Sequence, residues 1–381
     1  MRIAKEKVLN CANYATQNNA TVFCDILVST MQRKNLLKNS IVSAMLMAAL
    51  CGMLASGCSV ILGKEDGSPQ QEISLRFLEN LRNEASLRGE GMKDLALNTD
   101  RATTLQQPNS VFADAFRVYV TDTTPARVFI FDRGERSVTI LDHASPPAED
   151  EVSLIAPKGV VVDAAGTLWV SDSQQGKVYG YTKNGKSLYV IGKFGELATP
   201  AGLAVDYFRS RLYVADTGAQ QVKVFNLTGE RLHEGGRAFG GRFFEIGASG
   251  KSEEDFKFPG AIALDRSGNL YVLDTIRKRV HLYDTDANFV RAFSLSGDDP
   301  GVAVKPTGIA VDSNRHLYVT DSFSNNVLIF DQEGRLMLTW GMTGALHGGF
   351  RSPAGIFIDD RDSIYIADKA NGRVQVFQYS P

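Results

Sequence analysis

The chain has 381 residues, 44% of them hydrophobic, and a formal net charge of −2 at neutral pH. That is the composition of a globular protein in water, and it offers no electrostatic basis for holding nucleic acid. Its cysteines fall at positions 11, 24, 51 and 58, so the chain beyond Cys58 can form no internal disulfide in any redox compartment.

Residues 1–30 carry no recognisable pattern and read as a mis-annotated extension or disordered leader. Met31 opens MQRKNLLKNSIVSAMLMAALCGMLASGC, where Arg33, Lys34 and Lys38 precede an uncharged stretch from Asn39 to Gly63. A short basic leader before an apolar core is the charge order of an export signal, here residues 31–57. The apolar run closes on Leu54-Ala55-Ser56-Gly57-Cys58, which resembles the processing site of bacterial lipoproteins. It departs from that pattern at Ala55, where leucine is commonest. The resemblance implies cleavage before Cys58 and acylation of that cysteine by palmitate-like chains. Each buried CH₂ adds about 0.8 kcal/mol, so several chains would hold the protein on a membrane where one would bind only marginally. Ser59, in place of aspartate, resembles lipoproteins sorted to the outer membrane. Read by length alone, the 25 uncharged residues could instead span a bilayer as an uncleaved helix. Either way the rest of the chain lies outside the cytoplasm, on the periplasmic or cell-surface side.

Residues 58–99 read as a polar stalk. Ile73, Phe77, Leu81 and Ala85 recur every four residues, which predicts a short amphipathic helix around 70–88. Its stripe would dock on the flank of the following domain; a partner helix or the membrane surface is the alternative.

From residue 100 to 381 the sequence repeats. Each copy has Pro-x-Gly, an apolar run ending in Asp, and a second apolar run ending in Asp. The clearest copy is KPTGIAVD, HLYVTD and NNVLIFD, beginning at Pro306. The prolines stand at 108, 157, 200, 259, 306 and 353, and the second aspartates at 122, 172, 216, 274, 321 and 368. In the first copy Ser110 replaces the glycine. Three places before the prolines stand Leu105, Leu154, Leu197, Phe256, Ala303 and Phe350. The runs are short, rich in Val, Ile, Tyr and Phe, and bounded by Gly, Asp, Asn and Ser, so they read as strands. In the Pro306 copy they fall at about 308–311, 317–320, 327–330 and 336–340. Inner runs such as Leu317-Tyr318-Val319 lack polar–apolar alternation, as in sheets covered on both faces.

This consensus resembles the NHL repeat, which implies an all-β fold of six four-stranded blades closed into a β-propeller. The last copy ends after three strands. The segment Thr103–Leu105 is the expected source of the fourth, which would close the ring and remove a bare edge.

Little in the sequence carries chemistry. The phased aspartates suit backbone hydrogen bonding in turns. The five histidines have no ligand spacing, and no nucleophile elbow, phosphate loop or catalytic cysteine occurs. No catalytic residue, metal site or cofactor is assigned. Some propellers resembling NHL proteins are metal-dependent hydrolases or lyases, but the first strands here carry Ala, Val, Ile and Gly where such sites need ligands. That favours a binding module for an envelope protein, peptide or glycan. The loop between second and third strands and the connection to the next blade share one face. The candidate partner residues on it are Arg242, Phe243 and Phe244 in the 234–256 insertion, then Ile276, Arg277, Lys278, Phe323 and Lys369, because aromatic and Arg side chains dominate binding energy.

Overall fold

Each predicted repeat folds as a four-stranded antiparallel sheet, and together they form a six-bladed β-propeller. The structure is a computed structural model and describes residues 58–60, 73–87, 103–144, 151–192, 195–227, 245–247, 255–295 and 303–380. In the fifth blade the strands are Pro306–Val311, Leu317–Asp321, Asn326–Phe330 and Leu336–Trp340. The expected positions hold to within two residues. The first strands are Pro108–Ala113, Pro157–Val162, Pro200–Asp206, Pro259–Leu264, Pro306–Val311 and Pro353–Ile358. Each packs against the next and the sixth returns to the first, enclosing a central channel. The second strands are buried at every position in blades two to six. Neighbouring blades cover both faces, which explains the missing alternation.

The glycine of Pro-x-Gly marks where adjacent ring strands touch. A Cβ on Gly355 would lie 2.6 Å from the Asn109 carbonyl of the first blade. A hydroxyl relay runs beside it in three blades. The Gly308 N–H donates to Thr320 Oγ1 at 2.8 Å, and that hydroxyl donates to Ala354 O of the next blade at 2.5 Å. Ser171 links Gly159 to Ala201 in the same way, and Thr121 links Ser110 to Lys158.

The second aspartates are fully buried and tie each blade to the connection entering it. Asp321 accepts the backbone N–H groups of Val304, Lys305, Phe323 and Ser324. Asp172 does the same for Ile155, Ala156, Gln174 and Gln175. Leu105, Leu154, Leu197, Phe256, Ala303 and Phe350 are all buried beneath these connections.

Two expectations are corrected at the closure. Thr103–Leu105 form no strand; the sixth blade instead continues from Arg373–Ser380 to Ile73–Leu81. The predicted helix over 70–88 is therefore largely that strand, with only Glu84–Leu87 helical. A four-residue step is also an even step, so Ile73, Phe77 and Leu81 share one face of a strand as readily as of a helix. The open edge of the last blade decides between them, because its unpaired backbone groups need a neighbour. Leu105 still contributes, donating its N–H to Arg82 O at 2.9 Å.

Contacts divide the chain into two units. The propeller unit is Glu79–Ala345 with Gly349–Gln378; the other holds Met1–Leu78, Leu346–Gly348 and Tyr379–Pro381. Within the latter, Cys58–Val60 pairs antiparallel with Ile73–Leu75, and Phe77 stacks on His347 at 3.9 Å. The expected signal segment lies outside the described residues, and among those described no helix is long and apolar enough to cross a membrane.

Candidate functional site

In every blade the proline opening the ring strand lies opposite the aspartate ending the second strand, as with Pro306 and Asp321. One rim of the ring thus carries both the entering connections and the turns after the second aspartates. At the second position of the ring strands stand Asn109, Lys158, Ala201, Gly260, Thr307 and Ala354. Most are small, and Lys158 is the one cation among them.

Lys369 follows the buried Asp368 on the same rim and is half-buried. Burial and then the Lys158 ammonium push its pKa down; the Asp122 carboxylate opposes them, and Lys305 adds the smallest downward push. Lys158 of blade two, Lys305 before blade five and Lys369 of blade six thus stand on one rim. None makes an ion pair or side-chain hydrogen bond among the described residues. The carboxylate that opposes the shift, Asp122, is buried and accepts the N–H groups of Gln106, Gln107 and Thr124.

Of the predicted partner residues, Ile276 and Phe323 are exposed on this rim, Phe323 to 70%. Arg277 donates its backbone N–H to Asp274 and its guanidinium to Asp255 O, so it braces the turn. Lys278 is half-buried at a positive φ of 51° and helps shape the same turn. The outer strand of the third blade, Glu245–Ile246, pairs with Val222 and Lys223 and so divides the 234–256 segment. Arg242, Phe243 and Phe244 lie outside the described residues. They precede Glu245–Ile246 in the sequence. Lys158 and Lys305 were missed from sequence. The signal available was a lysine inside or just before Pro-x-Gly in those blades alone.

The opposite end of the channel is braced and acidic. The Tyr207 hydroxyl donates to Val162 O at 2.8 Å, and its pKa is pushed up to about 12 by burial, then by Asp360, Asp163 and Asp114. The Arg266 guanidinium crosses from blade four to blade six, donating to Asp360 O at 2.7 Å and Asp362 Oδ1 at 3.4 Å. Asp362 in turn accepts the Ser313 N–H and Oγ–H of blade five.

The third strands add a buried polar position beneath the mouth rim. Lys223 and Gln375 hydrogen-bond Asp216 and Asp368 there. In blade four the corresponding His281 is fully buried against Phe256, and neither ring nitrogen has a partner among the described residues. Among the described residues no group of three or more His, Cys, Asp or Glu is placed to hold a metal.

A family described as a 6-bladed beta-propeller is matched over residues 304–380. No curated protein is matched by the sequence. Solved structures are matched widely. A structural genomics protein of unknown function from Bacteroides thetaiotaomicron shares 16% identity, with a TM-score of 0.54 over 86% of this chain and 83% of that one. An auxiliary nutrient binding protein from the same organism shares 13%, with a TM-score of 0.52 over 73% of this chain and 71% of that one. Virginiamycin B lyase from Staphylococcus aureus shares 12%, with a TM-score of 0.51 over 80% of this chain and 99% of that one. These likenesses show the fold alone.

Proposed function

We propose that this six-bladed propeller is an exported lipoprotein, acylated at Cys58, that captures an envelope protein, peptide or glycan on the rim around its channel mouth. The observation that carries the reading is the exposure of Ile276 and Phe323 on the rim that also bears Lys158, Lys305 and Lys369. The far end has exposed aromatics of its own, Phe116 and Phe208, but Tyr207 and Arg266 bridge its blades. The three lysines of the mouth rim have no carboxylate partner among the described residues. Apolar and cationic groups left unpaired together are what a partner would cover. The auxiliary nutrient binding protein gives the same fold a binding role elsewhere.

The test has two parts. Cys58→Ala should abolish incorporation of labelled fatty acid and move the protein from the membrane to the soluble fraction; equal labelling would defeat the anchor. Ile276→Ala with Phe323→Ala should lower capture of the envelope partner at least tenfold, while Phe208→Ala, 85% exposed in a first-to-second-strand turn at the far rim, should leave it intact. Loss with Phe208→Ala alone would move the binding surface to the other rim.

A further inference from the structure

The sequence contains two Asn-Gly pairs, Asn184-Gly185 and Asn371-Gly372, and no other. A glycine after asparagine has no Cβ to shield its amide nitrogen, so the asparagine side chain is open to attack by its own backbone. The fold treats the two pairs in opposite ways. Asn371 is half-buried in the turn after Asp368. Its Nδ2 donates to Gly344 O and to Asp368 Oδ2, both at 2.8 Å, and its carbonyl accepts the Arg82 guanidinium at 2.8 Å. A Cβ on Gly372 would lie 2.8 Å from Leu105 O, so the backbone there is closely packed as well.

Asn184 stands exposed in the turn between the third and fourth strands of blade two, and its carboxamide has no hydrogen-bond partner among the described residues. The turn beneath it is also the more weakly stitched. In blades four and five the same turn opens on Asp284 and Asp331. Their carboxylates accept the N–H groups two and four residues further on, at 2.9 and 2.8 Å for Asp284 and at 3.0 and 2.8 Å for Asp331. Blade two has Thr182 instead, whose neutral hydroxyl accepts the Asn184 and Lys186 N–H groups at 3.3 and 3.1 Å. A charged acceptor makes shorter and stronger hydrogen bonds than a neutral one. The nucleophile itself, the Gly185 nitrogen, is held by a single bond to Thr182 O at 2.9 Å.

We propose that Asn184 is a covalent modification site, at which the folded protein deamidates without an enzyme. The Gly185 nitrogen gives its proton to solvent and attacks Asn184 Cγ; a C–N bond forms, the Cγ–Nδ2 bond breaks, and Nδ2 leaves as ammonia. Water then opens the resulting cyclic imide at either carbonyl, leaving aspartate or β-linked isoaspartate. One water is consumed for each ammonia released, and nothing is oxidised or reduced. The β-linked product is the one the fold feels, because it adds a carbon to the main chain of a turn already in contact with blade one. A Cβ on Gly185 would lie 2.6 Å from Leu141 Cδ2. Leu141 ends the outer strand of blade one and belongs to the buried cluster that joins it to blade two. Plain aspartate leaves the backbone as it was and adds only a charge between the exposed Lys183 and Lys186.

The test is to age the full chain, in detergent at mildly alkaline pH, and to follow both asparagines by peptide mapping and mass spectrometry. Asn184 should convert at least tenfold faster than Asn371 while the protein is folded. In guanidinium the two rates should converge, because local opening no longer limits either one. Thr182→Asp, which copies the turns of blades four and five, should slow conversion at Asn184 several-fold and leave Asn371 unchanged. Aged protein should melt below Asn184→Asp, since only ageing produces the lengthened backbone; equal melts would refute the strain on the contact with Leu141. Equal conversion of the two asparagines in the folded protein would overturn the proposal. So would an Asn184 that stays intact when folded yet converts in guanidinium, or one whose rate is the same in Thr182→Asp.

Discussion

Removing the strand Ile73–Leu81 should open the propeller, and Leu81 allows the effect to be sized. Its side chain is fully buried in a cluster with Val111, Phe129, Phe131, Tyr365 and Val374, which joins the first blade to the last. Leu→Ala at such sites costs about 3–5 kcal/mol, through lost transfer energy and the cavity left behind. A domain of this size loses roughly 2 °C of melting temperature per kcal/mol, so Leu81→Ala should melt about 6–10 °C lower. Leu78, on the same strand but 45% exposed, serves as the control, and its alanine variant should stay within about 2 °C. A chain starting at residue 88 loses more. Gone are Leu81, the Arg82 donation to Asn371 O at 2.8 Å and the Glu79–Arg133 ion pair at 2.6 Å. Several strand hydrogen bonds, at roughly 1 kcal/mol each, go with them. The total approaches the 5–15 kcal/mol that a whole domain typically holds. That chain should melt near ambient temperature or associate through its bare edge, seen by calorimetry and size-exclusion chromatography. It keeps Thr103–Leu105, so it also separates the two possible closures. A melting temperature equal to the parent's in both the truncated chain and Leu81→Ala would refute closure by this strand.

Two further outcomes follow from the same structure. Asp321→Ala strips the acceptor from four backbone N–H groups and should cost about 3–4 kcal/mol, whereas Asp331→Ala, in an outer hairpin turn, should cost about 1 kcal/mol; equal losses in denaturant titrations would contradict the pinning role. His281 is held at a pKa of about 4, below its ordinary 6.5, by burial first, with Asp274 and Asp255 opposing and Arg277 and Arg279 reinforcing the shift. The unfolded chain takes up this proton before the folded one does. Stability is thus full above about pH 6.5 and falls as pH drops toward 4, by up to about 3 kcal/mol. His281→Leu, which copies Leu328 of blade five, should flatten that part of the pH profile; the same slope in both proteins would place the titration elsewhere.

Blade number and strand positions were legible because each depends on a local unit repeated along the chain. Pro306, Gly308, Asp312 and Asp321 play parts that their counterparts play in other blades, so one copy explains the rest. The face bearing Ile276 and Phe323 was also legible, since strands that alternate in direction fix which loops share a rim. The helix over 70–88 and the closure at Thr103–Leu105 were not. An even spacing of apolar residues serves a strand and a helix alike, and only the unpaired edge beside Arg373–Ser380 selects the strand.

By itself the sequence determined the propeller, its six blades and the stitching of each turn, because those follow from propensity, patterning and hydrogen bonds within one repeat. Tertiary structure decided the rest: which segment closes the ring, which end of the channel is braced, and which lysines share a rim. Lys158, Lys305 and Lys369 belong to three different repeats and share no motif. They stand on one rim only because the ring strands curve into a closed circle, which brings distant parts of the chain to the same end.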